Sequence, residues 1–147
     1  MESLFMQEHD RWLKVVDRDL KSAKLLLKGE IFSTAVYHCQ QATEKALKAY
    51  LAFKKHKIAK THDLVKLVVL CSQFDKTFEK LYRDAGHLNP FATKFRYPTE
   101  FEIPDFEDTK NAIKQTQKIV NFVRKKIAEP VTGQKSLFCP SSNSEEC

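Results

Sequence analysis

Tyr37-His38-Cys39-Gln40-Gln41-Ala42-Thr43-Glu44-Lys45-Ala46-Leu47-Lys48-Ala49-Tyr50-Leu51 reads as the body of one long helix. Ala35, Cys39, Ala42, Ala46 and Ala49 recur at steps of four and three, so they share a face. All are small, and a second helix can approach closely along that stripe. Val36, Leu47 and Leu51 add bulk beside it. His38, Gln40, Gln41, Glu44 and Lys45 lie among these apolar positions, a dense polar set on a helix that otherwise reads as buried. A polar group left unpaired near a core costs about 1–3 kcal/mol. These side chains therefore meet internal partners, face a site, or line a solvated edge.

The rest of the chain supports a helical setting for this rod. Its 147 residues suit one domain with a real core, and Gly (3) and Pro (5) are too scarce for many hairpins. An all-α domain is expected. No apolar run approaches the roughly 20 residues a membrane span needs, so no membrane partner is expected. Met1–Asp10 carries Glu2, Glu8 and Asp10 and no apolar signal core, which points to a cytoplasmic location.

The net charge of +6 favours an anionic partner such as a nucleotide, an RNA or an acidic protein surface, without choosing among them. Cys39 and Cys71 sit in apolar helical patterns, and Cys139 and Cys147 in a polar tail. No pair has CxxC spacing, so neither a zinc site nor a disulfide framework is predicted. Phosphate-cradling glycine loops, HExxH and acidic metal clusters are absent from the sequence, and no cofactor or metal is expected.

Five helices follow from the periodicity. The first runs from His9 or Asp10 to Lys28, with Trp12, Val16, Leu20, Ala23 and Leu27 inward and Gly29 as its stop. Lys14, Arg18, Lys21 and Lys28 make a basic outer face, diluted by Asp17 and Asp19. The second spans Phe32–Lys54, followed by a basic connector of Lys54, Lys55, His56, Lys57 and Lys60. Thr61-His62-Asp63-Leu64 opens the third, with Thr61 as the cap. The fourth covers Thr77–Leu88 and ends at Asn89-Pro90. Phe91–Asp105 is an aromatic, proline-punctuated loop expected to pack against the helices. Within it Lys94 and Arg96 either contact an anion or a base, or belong to a lid over the core. The fifth starts near Asp105 or Asp108 and ends before Pro130. Residues 1–128 read as the bundle and 129–147 as a disordered tail. Glu44 and Lys48, at i,i+4, read as an ordinary surface pair.

In order and spacing, "YHCQQATEKALKAYL", "THDL", "FRYP" and "IVNFVRKKI" resemble the HEPN family (higher eukaryotes and prokaryotes nucleotide-binding), over roughly His9 to Ile127. The resemblance implies an up-and-down bundle of four to five helices that forms a homodimer. It also implies a possible minimal nucleotidyltransferase partner in a toxin–antitoxin-type system, and nucleotide binding or metal-independent ribonuclease activity. In the ribonuclease members four to six residues separate Arg from His. Here Arg83 and His87 have three residues between them, and Arg96-Tyr97-Pro98 has no histidine after it.

The resemblance therefore implies a non-catalytic binding module. Its nucleotide site would comprise His38, Gln41, Lys45, His62, Arg96 and Tyr97. Lys45 and Arg96 would contact phosphate, Gln41 and His62 the base or ribose, and Tyr97 or Tyr37 would stack. The same residues can instead form an internal network that fixes helix register. The alternative function is a ribonuclease in which a displaced Arg83/His87 pair moves the proton and stabilises the developing charge. A ligand-free protein adaptor is a third possibility.

Overall fold

The computed structural model describes residues 6–94 and 103–129. Among these it is all helical, with no strand. The helices are α1 (Glu8–Lys28), α2 (Phe32–Phe53), α3 (Leu64–Ser72), α4 (Tyr82–Leu88) and α5 (Phe106–Ala128). Short 3-10 segments at Lys76–Leu81 and Asn89–Ala92 flank α4.

α2 is the axis of the bundle and packs against α1, α3, α4 and α5. Ala35, Cys39, Ala42, Ala46 and Ala49 are all fully buried, as the four-and-three spacing predicts. Small side chains let two helix backbones come near, and bulk is supplied from the other side by Val16, Leu67, Phe78, Ile119 and Val120. Thr43 and Thr116, both fully buried, tie α2 to α5: each hydroxyl donates to the Cys39 carbonyl, at 2.9 and 3.3 Å. The inward stripe of α1 is Leu13, Val16, Leu20 and Ala23, with Trp12 only half-buried beside it.

Two helix ends are closed by Schellman turns, and neither uses glycine at the left-handed position. After α1, Glu30 N–H bonds the Leu27 carbonyl and Ile31 N–H the Leu26 carbonyl, with Glu30 at φ 60°. Gly29, predicted as the stop, precedes that position at φ −83°. After α2, Lys55 (φ 61°) and His56 repeat the pattern onto Ala52 and Leu51.

Other boundaries shift for local reasons. Asp63, not Thr61, caps α3, accepting from Val65 and Lys66 N–H at 2.9 and 3.2 Å, while Thr61 accepts from Asp63 N–H. The predicted fourth helix is a 3-10 turn leading into α4, because Asp75 caps the segment at Thr77. α5 opens with a capping box between Asp105 and Asp108. Of the aromatic loop, Phe91 packs against the core and Pro104 is buried, whereas Ile103 is exposed. Arg96, Tyr97 and residues 130–147 of the predicted 129–147 tail lie outside the described residues.

Candidate functional site

The polar residues of α2 divide into two neighbouring clusters on its surface. The first is built on Asp19 of α1. Its Oδ1 is 2.9 Å from His38 Nδ1 and its Oδ2 accepts from Lys45 Nζ at 2.9 Å. His38 and Lys45 stand seven residues apart, two helical turns, and so reach the same carboxylate from one face. Asp19 itself is buried, which corrects the expectation that it lies on the solvated outer face. Its spacing from Val16 and Ala23, three and four residues, is the signal that places it inward.

The second cluster is built on Glu44. Its Oε2 accepts from Lys48 Nζ at 2.9 Å and lies 3.0 Å from His62 Nδ1. Gln40 Nε2 donates to the His62 carbonyl at 3.2 Å, and Gln41 Nε2 donates to Gln40 Oε1 at 2.7 Å. The Glu44 and Lys48 side chains are only 6% and 8% exposed, so this is a buried ion pair and not the surface pair expected. Burial pushes the Glu44 carboxyl up, but hydrogen bonds from Lys48 and His62 outweigh it and hold the group below its ordinary value. The His62 ring is 76% exposed, so only its Nδ1 edge belongs to the interior.

The "THDL" turn thus carries four separate jobs. Thr61 closes the turn, His62 grips Glu44, Asp63 caps α3 and Leu64 enters the core. Asn89 locks it from the side, accepting from Leu64 N–H at 2.8 Å and donating to Asp63 at 3.0 Å. Of the predicted site residues, the structure brings His38 and Lys45 together on Asp19, and links Gln41 to His62 through Gln40 and Glu44. Asp19, Gln40 and Asn89 complete these arrangements and were not singled out from sequence as partners, whereas Lys48 is the i,i+4 partner of Glu44 read from sequence, here buried. Among the described residues no buried side-chain polar atom lacks a hydrogen-bond partner.

A concave site lies elsewhere, between the end of α4 and the start of α5. This groove of about 340 Å³ is lined by Pro90, Phe91, Ile103, Pro104 and Ala112, with polar His87, Lys94, Asp108, Asn111 and Gln115. Gln115 Nε2 reaches both Asp84 Oδ1 (3.1 Å) and His87 Nδ1 (2.9 Å). Arg83, one turn before His87, is exposed on α4 and does not line the groove. No helix among the described residues is long and apolar enough to cross a membrane, and no group of three or more His, Cys, Asp or Glu is placed to hold a metal ion.

An all-helical bundle threaded by a central small-residue helix with a charged interior is the class this architecture defines. A family model, HEPN domain, matches residues 9–126. The chain belongs to the HEPN family. The fold is shared with TT1696 from Thermus thermophilus (TM-score 0.74, 24% identity, covering 82% of this chain and 99% of that one). It is shared also with ST0689, an archaeal HEPN homologue (TM-score 0.68, 24% identity, covering 83% and 99%). A search of curated proteins gives no match.

Proposed function

We propose that this chain is a non-catalytic HEPN binding module that holds a nucleotide in the α4–α5 groove. It acts as a homodimer, and the family resemblance supplies a minimal nucleotidyltransferase of a toxin–antitoxin-type system as its protein partner. The groove carries this reading. Its volume of about 340 Å³ suits a nucleoside-sized group. Phe91, Pro90 and Pro104 offer an apolar wall for a base, the Asn111 and Gln115 amides can read its polar edge, and Lys94, which shares the lining with Asp108, is the cation that can reach a phosphate.

The α2 residues serve a different purpose. His38, Lys45, Gln41 and His62 hold α1 and the 54–63 connector onto the rod, and Lys45 and Lys48 are each already balanced by a carboxylate. Calorimetric titration with AMP, ATP and GTP tests the division. Binding weakened at least tenfold by Asn111→Ala and unchanged by His38→Gln is expected. Binding lost in His38→Gln with Asn111→Ala unaffected would transfer the site to α2.

The ribonuclease reading rests on one observation: Arg83 and His87 are both exposed and one helical turn apart. Incubation with total RNA in chelator decides it. Cleavage abolished by His87→Ala establishes the enzyme, and intact RNA supports the binding module.

A further inference from the structure

α3 is apolar on every side, with Lys66 the one charged residue between Leu64 and Ser72. Such a helix belongs in an interior. Leu64, Leu67, Val68 and Cys71 do face the core, yet Val69 on the opposite face is 40% exposed, and Phe74 just beyond the helix is 42% exposed. The connector from α2 doubles back along this helix. His56 packs edge-on against Phe74 at 5.9 Å at one end, and Asp63 caps α3 at the other. Between those points it carries Ile58, 52% exposed.

The same surface is strongly and unusually positive. Lys54, Lys55, Lys57, Lys60 and Lys66 fall within thirteen residues of sequence, and none forms an ion pair with a carboxylate among the described residues. The nearby carboxylates are already held, Asp63 by the cap and Asn89, Asp75 by Lys126. Phe74 also lines a groove of about 210 Å³ with Tyr50, Phe53, Lys54, Asp75, Lys126 and Glu129, where the Lys54 ammonium lies 5.9 and 5.7 Å from the Tyr50 and Phe53 ring centres.

The geometry points to a docking site for an acidic segment of a partner protein, anchored by apolar side chains on Val69, Ile58 and Phe74 and held by its carboxylates on these lysines. Charge chooses the occupant. A second copy of this chain would double the lysines across a two-fold contact, which disfavours self-association here. A membrane-surface helix needs a polar face opposite its apolar one, and α3 has none. Single-stranded nucleic acid would need open aromatic platforms, whereas the His56 and Phe74 rings already pack on each other. None of the residues used here lines the α4–α5 groove, so this site stands independently of nucleotide binding.

A random 16-residue peptide library displayed on phage is panned against the full chain, and a selected peptide is titrated by fluorescence anisotropy. Enriched peptides combining Asp or Glu with Leu or Phe are expected. Affinity should fall at least tenfold in Val69→Asp and in Lys57→Glu/Lys60→Glu, and fall steeply with added salt. Both variants alter exposed side chains, and circular dichroism verifies that they fold. Val69→Asp should leave nucleotide titrations unchanged, which separates the two sites. Peptides without acidic enrichment, or binding indifferent to both variants, would overturn the proposal. So would phosphatidylserine/phosphatidylcholine vesicles or an oligouridine RNA binding this face, with sensitivity to Val69→Asp, where peptides do not.

Discussion

Glu44→Ala isolates the buried charge at the centre of α2. The substitution leaves the Lys48 ammonium, only 8% exposed, without its carboxylate at 2.9 Å. Breaking one partner of a buried pair costs about 3–5 kcal/mol, because the remaining charge is uncompensated. The His62 contact adds little, since a ring 76% exposed is screened by water and such pairs contribute about 0–1 kcal/mol. For a domain of this size the loss corresponds to a fall in Tm of about 10–15 °C. The assay is urea unfolding followed by circular dichroism at neutral pH, with Lys48→Met and Glu44→Ala/Lys48→Met completing a cycle. The double variant should be less destabilised than the sum of the singles by about 2 kcal/mol, since it leaves no orphaned charge. A Glu44→Ala cost below about 1 kcal/mol, or single effects that simply add, would refute the buried-pair reasoning.

Glu30→Gly should raise stability by about 0.5–1 kcal/mol in the same unfolding assay, because a non-glycine residue at φ 60° is strained there. Asn89→Ala should cost about 1–2 kcal/mol, leaving the Leu64 N–H without its acceptor at the mouth of α3. Glu44, Asp63 and Asp75 all have folded-state carboxyls held below their ordinary values. Each is burdened by burial but favoured more by hydrogen bonds, so its stabilising contribution is present above the unfolded value and lost as pH falls through the folded one. Unfolding free energy should therefore drop steeply only below the usual carboxylate range, and Glu44→Gln should flatten the profile. Burial pushes the Cys39 thiol up to about 12 and raises Cys71 as well, so iodoacetamide should label neither before unfolding, as peptide mass spectrometry will report.

The helices were legible because their spacing is regular. Ala35 to Ala49 on α2 repeat with the helical period, and that stripe is buried as read. Boundaries were less legible where a short side chain decides them. Thr61 and Asp63 are both good caps by type, and only the backbone path shows that Asp63 reaches the free N–H groups. The partners within the polar clusters were hidden for a different reason. Glu44 and Lys48 look like any i,i+4 surface pair, and the sequence around them does not show His62 reaching Glu44 from eighteen residues further on. Asp19 was masked by the lysines around it, though its step from Val16 marks it as inward. The α4–α5 groove joins His87 of α4 and Asn111, Ala112 and Gln115 of α5 to Phe91, Lys94, Ile103 and Pro104 of the loop, a juxtaposition no local pattern encodes.

An amide NMR titration of the full chain with ATP examines in one spectrum whether the α2 polar set is scaffold and the groove is site. Shifts concentrated at His87, Phe91, Asn111 and Gln115 are expected, with His38, Gln41, Lys45 and His62 unmoved. Shifts centred on those four α2 and turn residues, with the groove silent, would contradict the assignment.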